Sequence, residues 1–455
     1  MNESSPYQTN HGPERVLICG VLLDGQVEEH EGPLTEVRGL CIAAGVEVVG
    51  DGVTQHRSRP HPATLMGRGK AEEIAAIVEK LEPDAVVVDN DLSPAQVRNL
   101  EKIFCARVVD RSELILDIFA RRVSTRQSRL QVELAQVEYL IPRLRRMWTH
   151  LERQQGGIGM RGPGETQLET DQRLLMKRVS DMKRELKGIE ARKRRQVQSR
   201  SEVYTLGLIG YTNAGKSTLL NTLTGSNELA EDMLFATLDT RTRKWNLEDG
   251  RTVLVSDTVG FLQRLPHHLV ASFHATLEEA LNVDLLVHVI DTAHPDVAEQ
   301  MAAVDDVLED LSAHRFADML VFNKIDMFDG DAPLFVNNRG EEAVFLSAKT
   351  GEGLDKFESM VSEHLDRRSS LVRTRIPAAA GALLAAVRRS GRCVEEEYLE
   401  DGTAVLVMRL AASALGQLER DMGCDVELEI LEPAVERESI ETEPEKPAWR
   451  EPLGH

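Results

Sequence analysis

Gly210-Tyr211-Thr212-Asn213-Ala214-Gly215-Lys216-Ser217 is the stretch on which the reading of this chain turns. It follows Tyr204-Thr205-Leu206-Gly207-Leu208-Ile209, an apolar run of buried-strand length. It precedes Thr218-Leu219-Leu220-Asn221-Thr222-Leu223, which opens a helix. Strand, glycine loop and helix N-terminus together make an anion site. Backbone N–H groups wrap the phosphates, the helix dipole favours negative charge, Lys216 adds a point charge, and Ser217 offers a hydroxyl to Mg²⁺. The pattern predicts a parallel α/β nucleotide domain over residues 201–370.

Outward from the loop, Phe235-Ala236-Thr237-Leu238-Asp239 falls about 20 residues beyond Ser217. That spacing suits a switch whose Thr237 hydroxyl meets Mg²⁺ and whose backbone meets the terminal phosphate. The run Thr252–Ser256 reads as a strand ending in Asp257-Thr258-Val259-Gly260. A carboxylate at such a strand end holds Mg²⁺ through water, and the Gly260 N–H reaches the γ-phosphate. Another apolar run, Met319–Phe322, leads into Asn323-Lys324-Ile325-Asp326, and Val344–Leu346 leads into Ser347-Ala348-Lys349. The Asp326 carboxylate matches the paired N1–H and 2-amino donors of guanine, which adenine lacks, and the backbone of 347–349 suits O6. The expected substrate is therefore GTP, with Mg²⁺ on Ser217, Thr237 and Asp257, and with Thr237 and Gly260 nearest the chemistry.

Upstream, strands Val16–Val21, Val46–Val49, Ala85–Val88 and Ala106–Val109 alternate with helical patterns at Leu34–Ala44, Ala71–Leu81 and after Ser93. This predicts a mostly parallel α/β domain over 15–120. Within it, Met66-Gly67-Arg68-Gly69-Lys70 opens a helix with glycines and cations. The spacing is not that of a phosphate loop, so a second nucleotide site, a plain turn and an RNA contact all stay open.

The total charge is −21, yet from Ala120 to Arg200 there are 20 Lys and Arg against 9 Asp and Glu, a net +11 that leaves −32 for the rest. In this basic limb Leu130, Leu134, Val137, Ile141, Leu144, Trp148 and Leu151 repeat at heptad spacing, as do Leu175, Val179, Met182, Leu186 and Ile189. Over 121–200 this predicts a long antiparallel helical hairpin, kinked at Pro142 and joined by a glycine-rich loop. Basic charge in excess and few aromatics point to RNA backbone contact without base stacking. A small α+β domain is expected over 371–433, with polar, unstructured ends at 1–14 and 434–455. No apolar run approaches the ~18 residues of a membrane span, and the start lacks the apolar core of a secretory signal. The five cysteines, Cys19, Cys41, Cys105, Cys393 and Cys424, are scattered and lack metal-ligand spacing. They read as reduced thiols of a cytoplasmic protein.

The nucleotide motifs resemble those of translation-factor-class P-loop GTPases, and the whole chain resembles the HflX family. The resemblance is carried by Gly156-Gly157-Ile158-Gly159-Met160-Arg161-Gly162-Pro163-Gly164-Glu165-Thr166-Gln167 after an α/β domain, by the Gly210 loop, and by Asp257-Thr258-Val259-Gly260-Phe261 followed by Leu265-Pro266. It implies a cytoplasmic, ribosome-associated GTPase that binds the large ribosomal subunit and its rRNA, and that splits stalled or idle ribosomes under stress. By the same resemblance the hairpin and its loop reach toward the peptidyl-transferase region. A monomer is expected. Many GTPases carry a water-orienting Gln after the Asp-x-x-Gly motif, and this chain has Phe261, which cannot orient water. Slow intrinsic hydrolysis, stimulated by the ribosome, is therefore expected. Asn213 resembles the P-loop Asn that serves as a K⁺ ligand in some GTPases lacking that Gln. Two other readings remain open: a GTP-gated factor in large-subunit assembly without splitting, and an ATPase or RNA-remodelling activity of the N-terminal domain.

Overall fold

A computed structural model describes residues 13–24, 32–143, 163–198, 204–226, 234–235, 241–258, 260–262, 281, 283–311, 316–327, 342–421 and 426–434. The chain divides into two compact units. One comprises Met1–Ile189, Glu231–Asp239 and Arg264–His274, and the other Glu190–Ala230, Thr240–Gln263 and Ala275–His455.

In the first unit β1 (Arg15–Leu23), β2 (Glu47–Val48), β3 (Val53–Arg57), β4 (Ala85–Val88) and β5 (Arg107–Asp110) form one parallel sheet. The first half of β1 pairs with β2 and its second half with β3. Gly52, at φ +84° between those two strands, has Leu34 and Ile18 so close that a Cβ would lie 2.6 Å from Leu34. On one face Leu17, Cys19, Val86, Val88 and Val108 pack against α2 (Arg68–Leu81) and α3 (Pro94–Phe104). The remaining helices of this half are α1 (Thr35–Ala43) and α4 (Arg111–Arg122), which touch each other. Ser93 and Gln96 form a reciprocal capping box at the start of α3.

The crevice at the C-terminal ends of parallel strands is where such sheets usually hold ligands. Here the chain fills it. The Asn90 amide pairs with both main-chain groups of Val21 at 2.8 and 2.9 Å. Arg111, only 1% exposed, is ion-paired with Asp89 and Glu36.

α5 (Arg126–Leu140) ends in a 3₁₀ turn, Ile141–Arg143, because Pro142 cannot continue the α-helical ladder. It shares an apolar seam with α6 (Pro163–Gln198): Leu130 and Leu134 are buried with Val179, Met182 and Leu186. Ion pairs Glu133–Arg178, Arg126–Glu185 and Glu138–Lys183 flank the seam. Leu144, Trp148, Leu151 and the glycine loop 156–162 lie outside the described residues.

The second unit holds a six-stranded sheet in the order β11-β10-β9-β6-β8-β7. Its strands are β6 (Tyr204–Ile209), β7 (Arg241–Asn246), β8 (Thr252–Asp257), β9 (Leu285–Asp291), β10 (Met319–Asn323) and β11 (Glu342–Phe345). All pair in parallel except the edge strand β7. Among the described residues its helices are α7 (Lys216–Thr224), α8 (Val297–Asp310) and α9 (Leu354–Arg367). Leu206, Leu208, Val255, Val287 and Val321 form the core with Leu219, Leu220 and Phe357 of the helices.

A separate antiparallel sheet follows: β12 (Ser370–Ile376), β13 (Gly391–Tyr398), β14 (Ala404–Leu410) and β15 (Glu427–Glu432) in the order β13-β14-β12-β15. With α10 (Gly381–Ser390) and α11 (Ala412–Asp421) the chain order is β-α-β-β-α-β, the split βαβ arrangement. The strand β12 was not expected from the sequence. Asp366, in the last turn of α9, joins this sheet to the larger one by accepting from Arg251 at 2.9 Å and Arg392 at 2.7 Å.

Candidate nucleotide site

The glycine loop follows β6 directly and is held in a geometry that only its own residues tolerate. Gly210 has φ +147°, and a Cβ on it would sit 2.2 Å from the Val289 carbonyl oxygen. Gly215 caps α7 at φ +93°, and a Cβ there would meet Asn323 Nδ2 at 2.2 Å. Both glycines let the loop pack closely on β9 and β10 and lead straight into the N-terminus of α7, the kind of helix start that suits a phosphate.

Lys216 is buried, and its Nζ donates to the carbonyls of Gly210 at 3.0 Å and Tyr211 at 2.7 Å. Burial pushes its pKa down to about 8, and the nearby Asp257 carboxylate opposes that fall. Beside it Ser217 Oγ donates to Asp257 Oδ2 at 2.5 Å. This hydroxyl and carboxylate form the oxygen-rich corner that a hard divalent cation takes. The Thr212 hydroxyl is buried without a hydrogen-bond partner among the described residues, an orphan that a phosphate oxygen would satisfy.

The segment after β8 is stitched onto the loop through its main chain. The Phe261 N–H donates to the Gly210 carbonyl at 3.1 Å, and the Thr212 N–H donates to the Phe261 carbonyl at 2.8 Å. The Phe261 ring is buried. Thr258 Oγ1 donates to the Leu208 carbonyl at 2.8 Å. Gly260 lies so near the loop that a Cβ would approach Thr212 Cγ2 to 2.8 Å and Lys216 Nζ to 3.2 Å.

Asn323 ties the glycine loop to the loop after β11. Its Nδ2 donates to the Ala214 carbonyl, and its Oδ1 accepts from the Ala348 N–H, both at 2.9 Å. Ser347 Oγ donates to Asp326 Oδ1 at 2.6 Å, and Thr222 Oγ1 donates to the Ala348 carbonyl at 2.7 Å. Ile325 and Asp326 lie in a 3₁₀ turn, and Lys349 is exposed beside them.

Residues 210–218, 257–258, 260, 323–326 and 347–349 thus gather at the ends of β6, β8, β10 and β11. Ala236, Thr237, Leu238, Asp239 and Val259 lie outside the described residues. Phe235 is buried in the first unit against Phe119. Two residues were not foreseen. Asp291, at the end of β9, pairs with Lys324 at 2.7 Å. His288, in register with Ile209, is buried, and burial with the neighbouring Lys216 charge pushes its pKa down to about 3. The strand-end position of Asp291 was the available signal. His288 carried none within its apolar run.

Three family models account for most of the chain. "GTP-binding GTPase N-terminal" matches residues 31–120, "GTP-binding GTPase Middle Region" matches 122–200, and "50S ribosome-binding GTPase" matches 205–324. GTPase HflX of Escherichia coli K12 is 45% identical over 384 residues, covering 83% of this chain and 89% of that protein. The chain belongs to the HflX GTPase family. GTPase HflX of Magnetococcus marinus is 40% identical over 442 residues and covers 96% of this chain and 98% of its own length. The HflX relative from Lacrimispora saccharolytica is 42% identical over 394 residues. As a member of the HflX family the chain binds and hydrolyses GTP.

The glycine-rich helix start of the N-terminal domain is of another kind. The Gly67 N–H already donates to Gln55 Oε1 at 2.8 Å, and Arg68 and Lys70 pair with Glu72 and Glu73 one turn on. Its first N–H and both of its cations are thus satisfied locally. Among the described residues there is no cluster of three or more His, Cys, Asp or Glu fit for a metal, and no helix long and apolar enough to cross a membrane.

Proposed function

We propose that this GTPase binds the large ribosomal subunit and its rRNA through the basic α5–α6 limb, that GTP binding drives ribosome splitting, and that hydrolysis releases the protein. The observation that carries this reading is the pairing of a domain matching the "50S ribosome-binding GTPase" model with a limb of net charge +11 built on a packed apolar seam. RNA attraction of this kind is electrostatic and falls steeply with salt.

In the site, Lys216 and the loop N–H groups hold the β- and γ-phosphates. Ser217, Asp257 and Thr237 would hold Mg²⁺, which would supply positive charge against that developing on the transferred group. The Gly260 N–H meets the γ-phosphate. Asp326 reads guanine, and the 347–349 backbone meets O6. The buried Phe261 ring offers nothing to a water, so the missing catalytic help comes from the ribosome. K⁺ at Asn213 is a separate part of the proposal. Asn213 is exposed at φ +62°, a conformation Asn tolerates. Equal hydrolysis rates in Na⁺ and K⁺ would remove it.

The test is sedimentation of purified intact ribosomes with this protein and a non-hydrolysable GTP analogue. Subunit peaks are expected. Intact ribosomes at saturating protein refute splitting, and intact ribosomes with the protein retained on free large subunits favour an assembly role. The proposed setting is the cytoplasm, with the protein acting as a monomer.

A further inference from the structure

Three main-chain N–H groups lie in the segment Ser347-Ala348-Lys349, and two of them are already engaged. The Ser347 N–H donates to the Glu352 carbonyl and the Ala348 N–H to Asn323 Oδ1, both at 2.9 Å. The Lys349 N–H has no acceptor among the described residues. The peptide that carries it is nevertheless held, through its carbonyl. Thr222, in the last turn of α7, donates its hydroxyl to the Ala348 carbonyl at 2.7 Å. Carbonyl and N–H point in opposite directions across a trans peptide, so a hydroxyl of α7 that holds the Ala348 carbonyl turns the Lys349 N–H away from α7. The Ser347 hydroxyl meanwhile donates to Asp326 Oδ1 at 2.6 Å and accepts from the Thr350 N–H at 3.1 Å, which fixes the Asp326 carboxylate against the same turn. Thr222 has a local alternative in the Thr218 carbonyl at 3.0 Å, the usual partner of a helical Thr four residues on. One hydroxyl hydrogen serves both carbonyls, and the shorter contact is to the distant one.

We propose that Thr222 is a positioning residue for guanine recognition: by holding the Ala348 carbonyl it aims the Lys349 N–H at O6 of the base. This deepens the reading of Asp326 and residues 347–349 as the guanine site, and it rests on that reading. The purine is then divided between two groups. Asp326 accepts from N1–H and the 2-amino group, and the Lys349 N–H donates to O6. An amino group at C6 would set a donor against that N–H, so this one bond selects against adenine at a different atom from the one Asp326 reads. The same helix serves both ends of the nucleotide. Lys216 and Ser217 lie in its first turn, and six residues of helix, about 9 Å of rise, separate Lys216 from Thr222. Thr222 is an exposed residue, whereas Ala348 is 3% exposed. With valine at 222 a water that reached the carbonyl would satisfy it without fixing its direction.

The test compares full-length Thr222→Val, Thr222→Ala, Thr222→Ser and Asp326→Asn with the unsubstituted protein, using GDP, inosine diphosphate and 6-thio-GDP as competitors of bound mant-GDP. Inosine diphosphate keeps O6 and N1–H and lacks the 2-amino group, so its ratio to GDP reports on Asp326. The 6-thio analogue keeps both donors and replaces O6 by sulfur, a weak acceptor, so its ratio to GDP reports on the donor at O6. Thr222→Val is expected to weaken GDP and inosine diphosphate alike, by about five-fold, and 6-thio-GDP by less than about two-fold. The preference for GDP over 6-thio-GDP therefore narrows. Thr222→Ala, which removes the hydroxyl with the best helix former, should do the same, and Thr222→Ser, which keeps the hydroxyl, should restore the preference. A merely structural role would weaken all three competitors by one factor. That result in a Thr222→Val or Thr222→Ala protein that melts like the parent overturns the proposal. If Asp326→Asn leaves the ratio of GDP to inosine diphosphate unchanged, the guanine-site reading itself fails, and the role of Thr222 falls with it. If Asp326→Asn narrows that ratio while the Thr222 variants leave the ratio of GDP to 6-thio-GDP unchanged, the guanine site stands and the role of Thr222 alone fails.

Discussion

The Ser217 hydroxyl donates directly to the Asp257 carboxylate at 2.5 Å, joining the first turn of α7 to the end of β8. A neutral hydroxyl against a carboxylate is a charge-assisted bond, stronger than one between neutral groups. On the proposed reading Ser217 and Asp257 would both serve Mg²⁺, and their mutual bond would open to receive it. Ser217→Ala is therefore expected to remove the tightening of GTP binding by Mg²⁺ and to lower kcat about 100-fold, with the fold intact by circular dichroism. A Mg²⁺ titration of mant-GTP binding that still saturates normally would be incompatible with this assignment.

Asn323 links the glycine loop to the base loop through Ala214 and Ala348. It is 2% exposed, so its replacement leaves a carbonyl and an N–H unpaired away from water. Each such orphan costs about 1–3 kcal/mol. Asn323→Ala should weaken GTP and GDP equally, by about 10- to 100-fold, because the loss strikes the scaffold shared by both nucleotides. Unequal losses, measured by calorimetry, would mean that Asn323 senses the γ-phosphate.

Lys216 supplies a pH dependence whose sign can be worked out. Its pKa in the fold is about 8, below the 10.5 of a free lysine. Between these values the unfolded chain binds more protons than the folded one, so the stability of the nucleotide-free protein rises with pH from about 8 to 10.5. Below pH 8 the cost of the buried ammonium is fully present. A bound triphosphate restores a high pKa, so GTP binding takes up a proton above pH 8 and its affinity falls as pH increases. Lys216→Met should raise the melting temperature of the nucleotide-free protein near neutral pH, flatten its alkaline slope and abolish GTP binding. A slope unchanged in Lys216→Met would assign it to another group.

Phe261 meets the glycine loop through its main chain, as acceptor from Thr212 and donor to Gly210. Its ring is buried and carries no polar atom. Phe261→Leu keeps both backbone bonds and most of the packing, so intrinsic hydrolysis should stay within about two-fold. Loss of hydrolysis with normal GTP binding would show that the ring contributes to the chemistry.

The sequence was most legible where function rests on contiguous residues. The glycine loop, Asn323-Lys324-Ile325-Asp326 and Ser347-Ala348-Lys349 each stand at a strand end, as their local patterns require. Strand β3 was missed because Val53-Thr54-Gln55-His56-Arg57 has a single strongly apolar residue; pairing with β1 makes it a strand. Helix α4 was passed over although Asp110 caps it by accepting from the Glu113 N–H at 2.9 Å. Phe235 was grouped with the nucleotide residues because it neighbours Thr237 in the chain. Its burial against Phe119, 116 positions earlier, depends on a contact that local pattern does not encode. The Lys324–Asp291 pair was hidden for the same reason.

The seam of the basic limb is the remaining place where structure and proposed function can be pulled apart. Met182 is 1% exposed among Leu130, Leu134, Val179 and Leu186. A carboxylate there would be desolvated with no cation inside the seam, since the cross-helix partners Arg178, Lys183 and Glu133 stand at its exposed flanks. Met182→Glu should therefore part α5 from α6 and expose the limb to limited trypsin digestion, while the nucleotide site, built from other elements, keeps its affinity for GTP. Under the ribosome-binding proposal, pelleting with large subunits falls at least about ten-fold and ribosome-stimulated hydrolysis falls with it, while the slow hydrolysis of the protein alone stays within about two-fold. Met182→Leu conserves the apolar seam and should restore pelleting. If Met182→Glu loosens the limb, as shown by trypsin, and yet the protein still pellets at full affinity, the limb is not the ribosome-binding element.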